Sequence, residues 1–141
     1  MPGFWPGCAV ANNINLYFYY LSLMEKLVTK DSWKNSPIDQ PKRIEMELPL
    51  TEGQFEKLKR GFVPKQMEDK WFVFYEKGWI YFHRSWTGYG IFRAEIKNVK
   101  GKFSITEFYA ERNPAKYNNQ EDREDIRMIK LLIEQDLMAE C

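Results

Sequence analysis

The stretch from Trp71 to Gly90, WFVFYEKGWIYFHRSWTGYG, constrains the fold of this chain more than any other. Two aromatic runs flank Lys77-Gly78, where a two-residue turn lets glycine take a positive backbone angle and the runs pair as a hairpin. Lysine in the first turn position is less typical. In that register Glu76 faces Trp79, Phe74 faces Tyr81 and Phe72 faces His83 on one side of the hairpin. Tyr75 with Ile80, Val73 with Phe82 and Trp71 with Arg84 form the other. Both faces carry large apolar groups. Such a hairpin is either covered on both sides, or covered on one side with an aromatic binding surface on the other.

The neighbouring segments extend this hairpin into a meander. From Gly90 to Lys97, Phe92, Ala94 and Ile96 alternate with Arg93, Glu95 and Lys97, the pattern of a one-sided strand. Asn98 to Gly101 turns the chain, and Lys102 to Tyr109 returns. Upstream, RIEMEL at 43–48 alternates as well and is expected at a sheet edge, with Pro49 ending it. Thr51 and Gln54 form a capping box, and Leu50 with Phe55 a hydrophobic staple, so a helix starts at Thr51. Its apolar residues are Phe55, Leu58 and Phe62, and Gly61 and Pro64 stop it. After a loop containing Asn113-Pro114, Asn118 or Asn119 is expected to cap a final helix over 119–138. Glu121 and Asp122 in its first turn suit the helix dipole, and Ile126, Ile129, Leu132, Ile133 and Leu137 line its inner face.

The expected fold class is therefore α+β, an antiparallel meander sheet packed by two or three helices, with one domain over 42–141. Residues 31–41, broken by Pro37 and Pro41, read as a linker. Residues 1–30 read as an N-terminal aromatic helix or a non-native extension. In the first reading a helix over 14–28 places Tyr17, Leu21, Met24 and Val28 on one face; in the second, Met24 is the natural start. Its apolar part lacks a preceding basic residue and a small-residue cleavage pattern, and is about half the length that crosses a bilayer. It is read as neither a signal peptide nor a membrane span.

Charge narrows the partners. Lysine and arginine number 21 and aspartate and glutamate 20 in 141 residues, so no global field draws in duplex nucleic acid. Cys8 and Cys141 lie near opposite ends with no histidine close by, which matches neither a zinc spacing nor a disulfide framework. The expectation is a cytoplasmic protein with no metal site, no cofactor and no membrane.

Chemistry concentrates at the end of the hairpin. His83 titrates near neutrality, Arg84 can hold a carboxylate or phosphate at two points, Ser85 and Thr87 add hydroxyls, and Trp86 or Tyr89 can stack on a ring. Gly88 would let backbone amides approach an anion. These six residues, His83, Arg84, Ser85, Trp86, Thr87 and Tyr89, are the candidate ligand-binding set. Structural readings stand beside this one: His83 as a hydrogen-bonded strand residue, Arg84 as an ion-pair partner of Glu68 or Asp69, and Thr87-Gly88 as a plain turn. Gly88-Tyr89-Gly90 lacks the third glycine and the strand-to-helix context of a dinucleotide loop, and no P-loop is present. A triad of Ser85, His83 and Glu68 would need strand neighbours to adopt an unusual nucleophile geometry.

Met67-Glu68-Asp69-Lys70-Trp71-Phe72 together with Tyr81-Phe82-His83-Arg84-Ser85-Trp86-Thr87-Gly88 resembles a small bacterial domain associated with ADP-ribose-handling proteins. The resemblance runs from Met67 to Ile96. It implies the company of macrodomain or ADP-ribosylglycohydrolase proteins, without their catalytic residues, since the acidic metal-binding pattern of the glycohydrolases and the glycine-rich loops of the macrodomains are missing. Three functions follow as expectations: a ligand-binding domain for an ADP-ribose-like or other nucleotide, through His83–Tyr89; a protein-interaction or inhibitory module using an exposed aromatic sheet face; or an enzyme with His83 as general acid or base.

Overall fold

A computed structural model describes residues 28–136, with side chains through Glu134. The readings of residues 1–27 and of Leu137 lie outside the described residues. The sheet has six antiparallel strands: β1 (Pro41–Leu50), β2 (Trp71–Glu76), β3 (Trp79–Arg84), β4 (Gly90–Glu95), β5 (Lys97–Val99) and β6 (Lys102–Glu111). Two helices, α1 (Glu52–Arg60) and α2 (Asp122–Leu131), complete an α+β fold, and one wide π-helical turn (Leu132–Asp136) continues α2.

The central hairpin forms in the register that its turn chemistry dictates, with all six pairs from Trp71–Arg84 to Glu76–Trp79 in place. Lys77 and Gly78 both take positive φ, 51° and 87°, as a turn matched to strand twist requires. From β3 the meander continues through β4, whose Phe92, Arg93 and Ala94 pair with Ala110, Tyr109 and Phe108 of β6. The turn into β6 tightens to Lys100-Gly101, and Asn98 belongs to β5, its side chain accepting from the Gly101 N–H at 3.0 Å. β1 lies at the edge beside β6, giving the order β1-β6-β4-β3-β2, with β5 also on β6.

Pro49 does not end β1. The strand runs on to Leu50, with a register shift between Glu45 and Leu48, because an edge strand tolerates a proline that a central one excludes. At the opposite edge, Phe62 exchanges two backbone hydrogen bonds with Val73, each 2.9 Å, and so covers β2.

One face of the sheet holds the core. Ile44, Ile80, Phe82, Phe92, Ala94, Phe108 and Ala110 pack with Leu58 of α1 and with Ile129, Leu132 and Ile133. Each of the larger side chains contributes about 1.5–3 kcal/mol by leaving water. Helix α1 starts with the reciprocal capping box of Thr51 and Gln54, at 3.0 and 2.9 Å. Phe55 stacks on Phe103 at 4.0 Å and meets Tyr75 edge-on.

The other face is not an open aromatic surface. Phe72, Phe74 and His83 are buried, Phe74 stacks on Tyr81 at 4.6 Å, and no ring of the β2–β3 hairpin is exposed. Toward β1 this face turns polar, where Arg43 grips Glu107 through two nitrogens.

The cap of α2 also differs from expectation. Glu121 occupies the cap position without a side-chain bond, and Asn119 instead ties the approach by donating to the Glu121 carbonyl and to Asp125. Asp125 is fully buried, and it also accepts from the Tyr117 hydroxyl at 2.7 Å and lies 2.6 Å from Arg112. The acid of this helix start therefore organises the preceding loop. No helix among the described residues is long and apolar enough to cross a membrane.

Candidate ligand-binding site

The β3–β4 link begins where Arg84 leaves the sheet. Tight backbone bonds, Gly88 N–H to the Arg84 carbonyl at 2.8 Å and Arg84 N–H to the Tyr89 carbonyl at 3.0 Å, fold Ser85–Gly88 into a compact turn. The stretch at 33–36, within the segment read as a linker, runs alongside it. Ser36 N–H donates to the Gly88 carbonyl, Gly90 N–H to the Ser36 carbonyl, and Trp33 Nε1 to the Ser85 carbonyl.

Buried Ser85 anchors the site. Its N–H bonds to the Lys70 carbonyl at 2.9 Å and its hydroxyl donates to the Asp69 carbonyl at 2.8 Å, which clamps the Met67–Lys70 turn against the link. Trp86 stands at the rim, 66% exposed, with Nε1 donating to the Met67 carbonyl at 3.3 Å.

A third segment closes the other side. Glu111, buried at the end of β6, accepts four backbone N–H bonds, from Asp39, Gln40, Arg112 and Asn113, at 2.7–3.1 Å. Burial pushes its carboxyl up, but the four donors together outweigh burial and hold it below the ordinary carboxylate range. Past this clamp, the Asn113 side chain accepts from the Ala115 N–H, and its carbonyl from Lys116 and Tyr117, turning 113–117 toward the link. Lys116 Nζ then lies 5.2 Å from the Tyr89 ring centroid.

Together these segments enclose a cleft of about 470 Å³ lined by Met67, Lys70, Arg84, Trp86, Thr87, Tyr89 and Lys116, with Ser85 and Ala115. Its charge is one-sided: the described residues that line it include three cations and no carboxylate. Arg84, Lys70 and Lys116 have no ion-pair partner among the described residues. The Arg84 guanidinium instead lies 4.6 Å from the Trp71 ring centroid, so neither Glu68 nor Asp69 neutralises it. Asp69 accepts from the Lys65 N–H.

Five of the six candidate residues thus meet at one cleft, and His83 does not. The strand alternation that sends Arg84 toward the cleft sends His83 to the other face. There Nδ1 sits 3.0 Å from the Gly88 carbonyl and Phe74 stacks on the ring at 5.6 Å. A carbonyl only accepts, so Nδ1 carries the proton. Burial pulls the His83 pKa down, the Gly88 bond only partly opposes it, and the ring is neutral at pH 7. No hydroxyl or carboxyl among the described residues bonds to His83, and Ser85 is committed to Asp69, so no Ser85–His83 pair exists.

Gly88 plays a different part from the one expected. Its N–H is taken by Arg84, and its lack of a side chain admits the Lys34–Asn35 backbone, 3.0 Å from where a Cβ would stand. The cationic groups that line the cleft are side chains. Lys70 and Lys116 are the contributors that sequence reasoning missed, because neither lies in the His83–Tyr89 cluster and Lys116 reaches the cleft only through the Glu111 clamp. No group of three or more metal-ligating side chains occurs among the described residues. The arrangement can neutralise an anion and stack a ring. No known protein-family model, curated protein or solved structure matches this chain.

Proposed function

We propose that this chain is a small ligand-binding domain whose cleft takes an anionic ligand bearing a flat ring, of the nucleotide or ADP-ribose class. The observation that carries the reading is three cations, Lys70, Arg84 and Lys116, around one cleft with Trp86 and Tyr89, with no ion-pair partner and no lining carboxylate among the described residues. Cations held over rings lose little entropy on binding a phosphate, and the rings offer a stacking face to a base. The resemblance of Met67–Ile96 to a domain associated with ADP-ribose-handling proteins leads to the same ligand class. A cytoplasmic setting, where such ligands are abundant, belongs to the proposal.

Thermal-shift measurement with NAD, ADP-ribose and ATP tests it, on wild type and Arg84→Ala. A ligand at 100 times its Kd stabilises the fold by about 2.7 kcal/mol, a melting shift of roughly 5–10 °C for a domain of this size. The shift should vanish in Arg84→Ala while the unliganded variant melts normally. Absence of any shift would turn the reading to a protein-interaction module. That alternative draws on Met67 and Trp86, 72% and 66% exposed and joined at the rim.

A further inference from the structure

Arg84 and Lys116 line two adjoining hollows. The second one, of about 360 Å³, does not include Trp86 and is framed by Tyr117, Asn118, Asn119, Glu124 and Met128. Its chemistry differs from that of the first. It holds a carboxylate and two amides, and no cation beyond the shared pair.

The polar groups of this hollow divide into committed and available ones. Asn119 spends its amide on Glu121 and Asp125, and the Tyr117 hydroxyl donates to Asp125, so both are fixed in place by a buried acid. Arg112 completes the frame by bridging Asp122 and Asp125. Asn118 has no hydrogen-bond partner among the described residues, and Glu124 uses one oxygen on Arg127 and leaves the other open. A phosphate in this hollow would lie against the Glu124 carboxylate. Hydroxyl groups would instead donate to Glu124 and exchange bonds with Asn118, while the Tyr117 ring gives them a flat wall.

We infer that the ligand spans both hollows: a ring in the Trp86–Tyr89 cleft, a diphosphate across Arg84 and Lys116, and an uncharged, hydroxyl-rich group in the hollow at Asn118 and Glu124. This rests on the reading above and narrows it, from nucleotides in general to a nucleoside diphosphate extended by a sugar. The alternation of charge sets the order. The cationic pair stands between a cleft with no acid and a hollow with one, so negative charge belongs at the junction and hydroxyls beyond it.

The test is titration calorimetry of the full chain with AMP, ADP and ADP-ribose, on wild type, Lys116→Ala and the double variant Asn118→Ala/Glu124→Ala. Wild type should bind ADP more tightly than AMP, and ADP-ribose about tenfold more tightly than ADP, the gain of one or two new hydrogen bonds. The double variant should lose that last step and bind ADP as wild type does, whereas Lys116→Ala should weaken ADP and ADP-ribose alike. All three positions are at the surface, so the unliganded variants should melt like wild type. Equal affinity for ADP and ADP-ribose, or a double variant that weakens ADP equally, overturns the two-hollow site and leaves the single-cleft reading standing. No binding of any of the three to wild type overturns both.

Discussion

Replacing Gly88 by alanine tests the close approach on which the cleft is built, and Gly78→Ala is its control. Both glycines have left-handed φ, 81° and 87°, so alanine brings a similar backbone cost of about 1–2 kcal/mol to each. Their surroundings differ. Nothing lies within 4 Å of a Cβ at Gly78, whereas a Cβ at Gly88 would stand 3.0 Å from the Lys34 carbonyl oxygen and 3.2 Å from the Asn35 Cα. These are backbone atoms, held by the Ser36–Gly88 and Gly90–Ser36 hydrogen bonds and by Trp33 on Ser85, so they cannot swing aside. Overpacking of this kind costs about 1–3 kcal/mol more. Gly88→Ala should therefore destabilise by about 2–5 kcal/mol in total. In urea unfolding with an m-value of about 1.5 kcal/mol/M, an extra 2 kcal/mol separates the two midpoints by about 1.3 M at unchanged slope. Midpoints for the two variants within about 0.3 M of each other would refute the reasoning, because the 34–36 segment would then be yielding freely instead of bracing the link.

Two further outcomes are expected. His83 is the only histidine in the chain, and burial holds its folded pKa below the unfolded value of about 6.5. As pH falls below about 6.5 the unfolded chain takes up a proton that the folded chain does not, so stability should drop, by at most about 1.4 kcal/mol per pH unit, until the folded pKa is reached. Urea unfolding at pH 7.5 and 5.5 should show this slope in wild type and its absence in His83→Gln; an equal slope in both would place the titrating group elsewhere. Glu111→Gln keeps the shape but replaces one accepting oxygen with a donor, so at least one backbone N–H at 39–40 or 112–113 loses its partner. A loss of about 1–3 kcal/mol is expected, together with weaker ligand binding through displacement of Lys116; unchanged stability would show that the clamp is dispensable.

What the sequence determined by itself was local and periodic. The Lys77-Gly78 turn pins the hairpin register, because a slip of one residue would exchange the two faces, and the Thr51–Gln54 box starts α1 because its partners are three residues apart. Alternation placed the edge strand, though not its end: Pro49 forbids a central strand only, and centrality is a property of the whole sheet. Asn118 and Asn119 looked like caps because cap chemistry is local, whereas buried Asp125 drew Asn119 into a tertiary network. The same division runs through the site. Arg84, Ser85, Trp86, Thr87 and Tyr89 were legible as a cluster because they are consecutive or nearly so, and His83 was misplaced among them because adjacent strand residues point to opposite faces. Lys70 and Lys116 joined the cleft only through folding. Ser85 holds the Asp69–Lys70 backbone and Glu111 ties 39–40 to 112–113, and those anchors join segments separated in the chain, at positions where no spacing rule connects them.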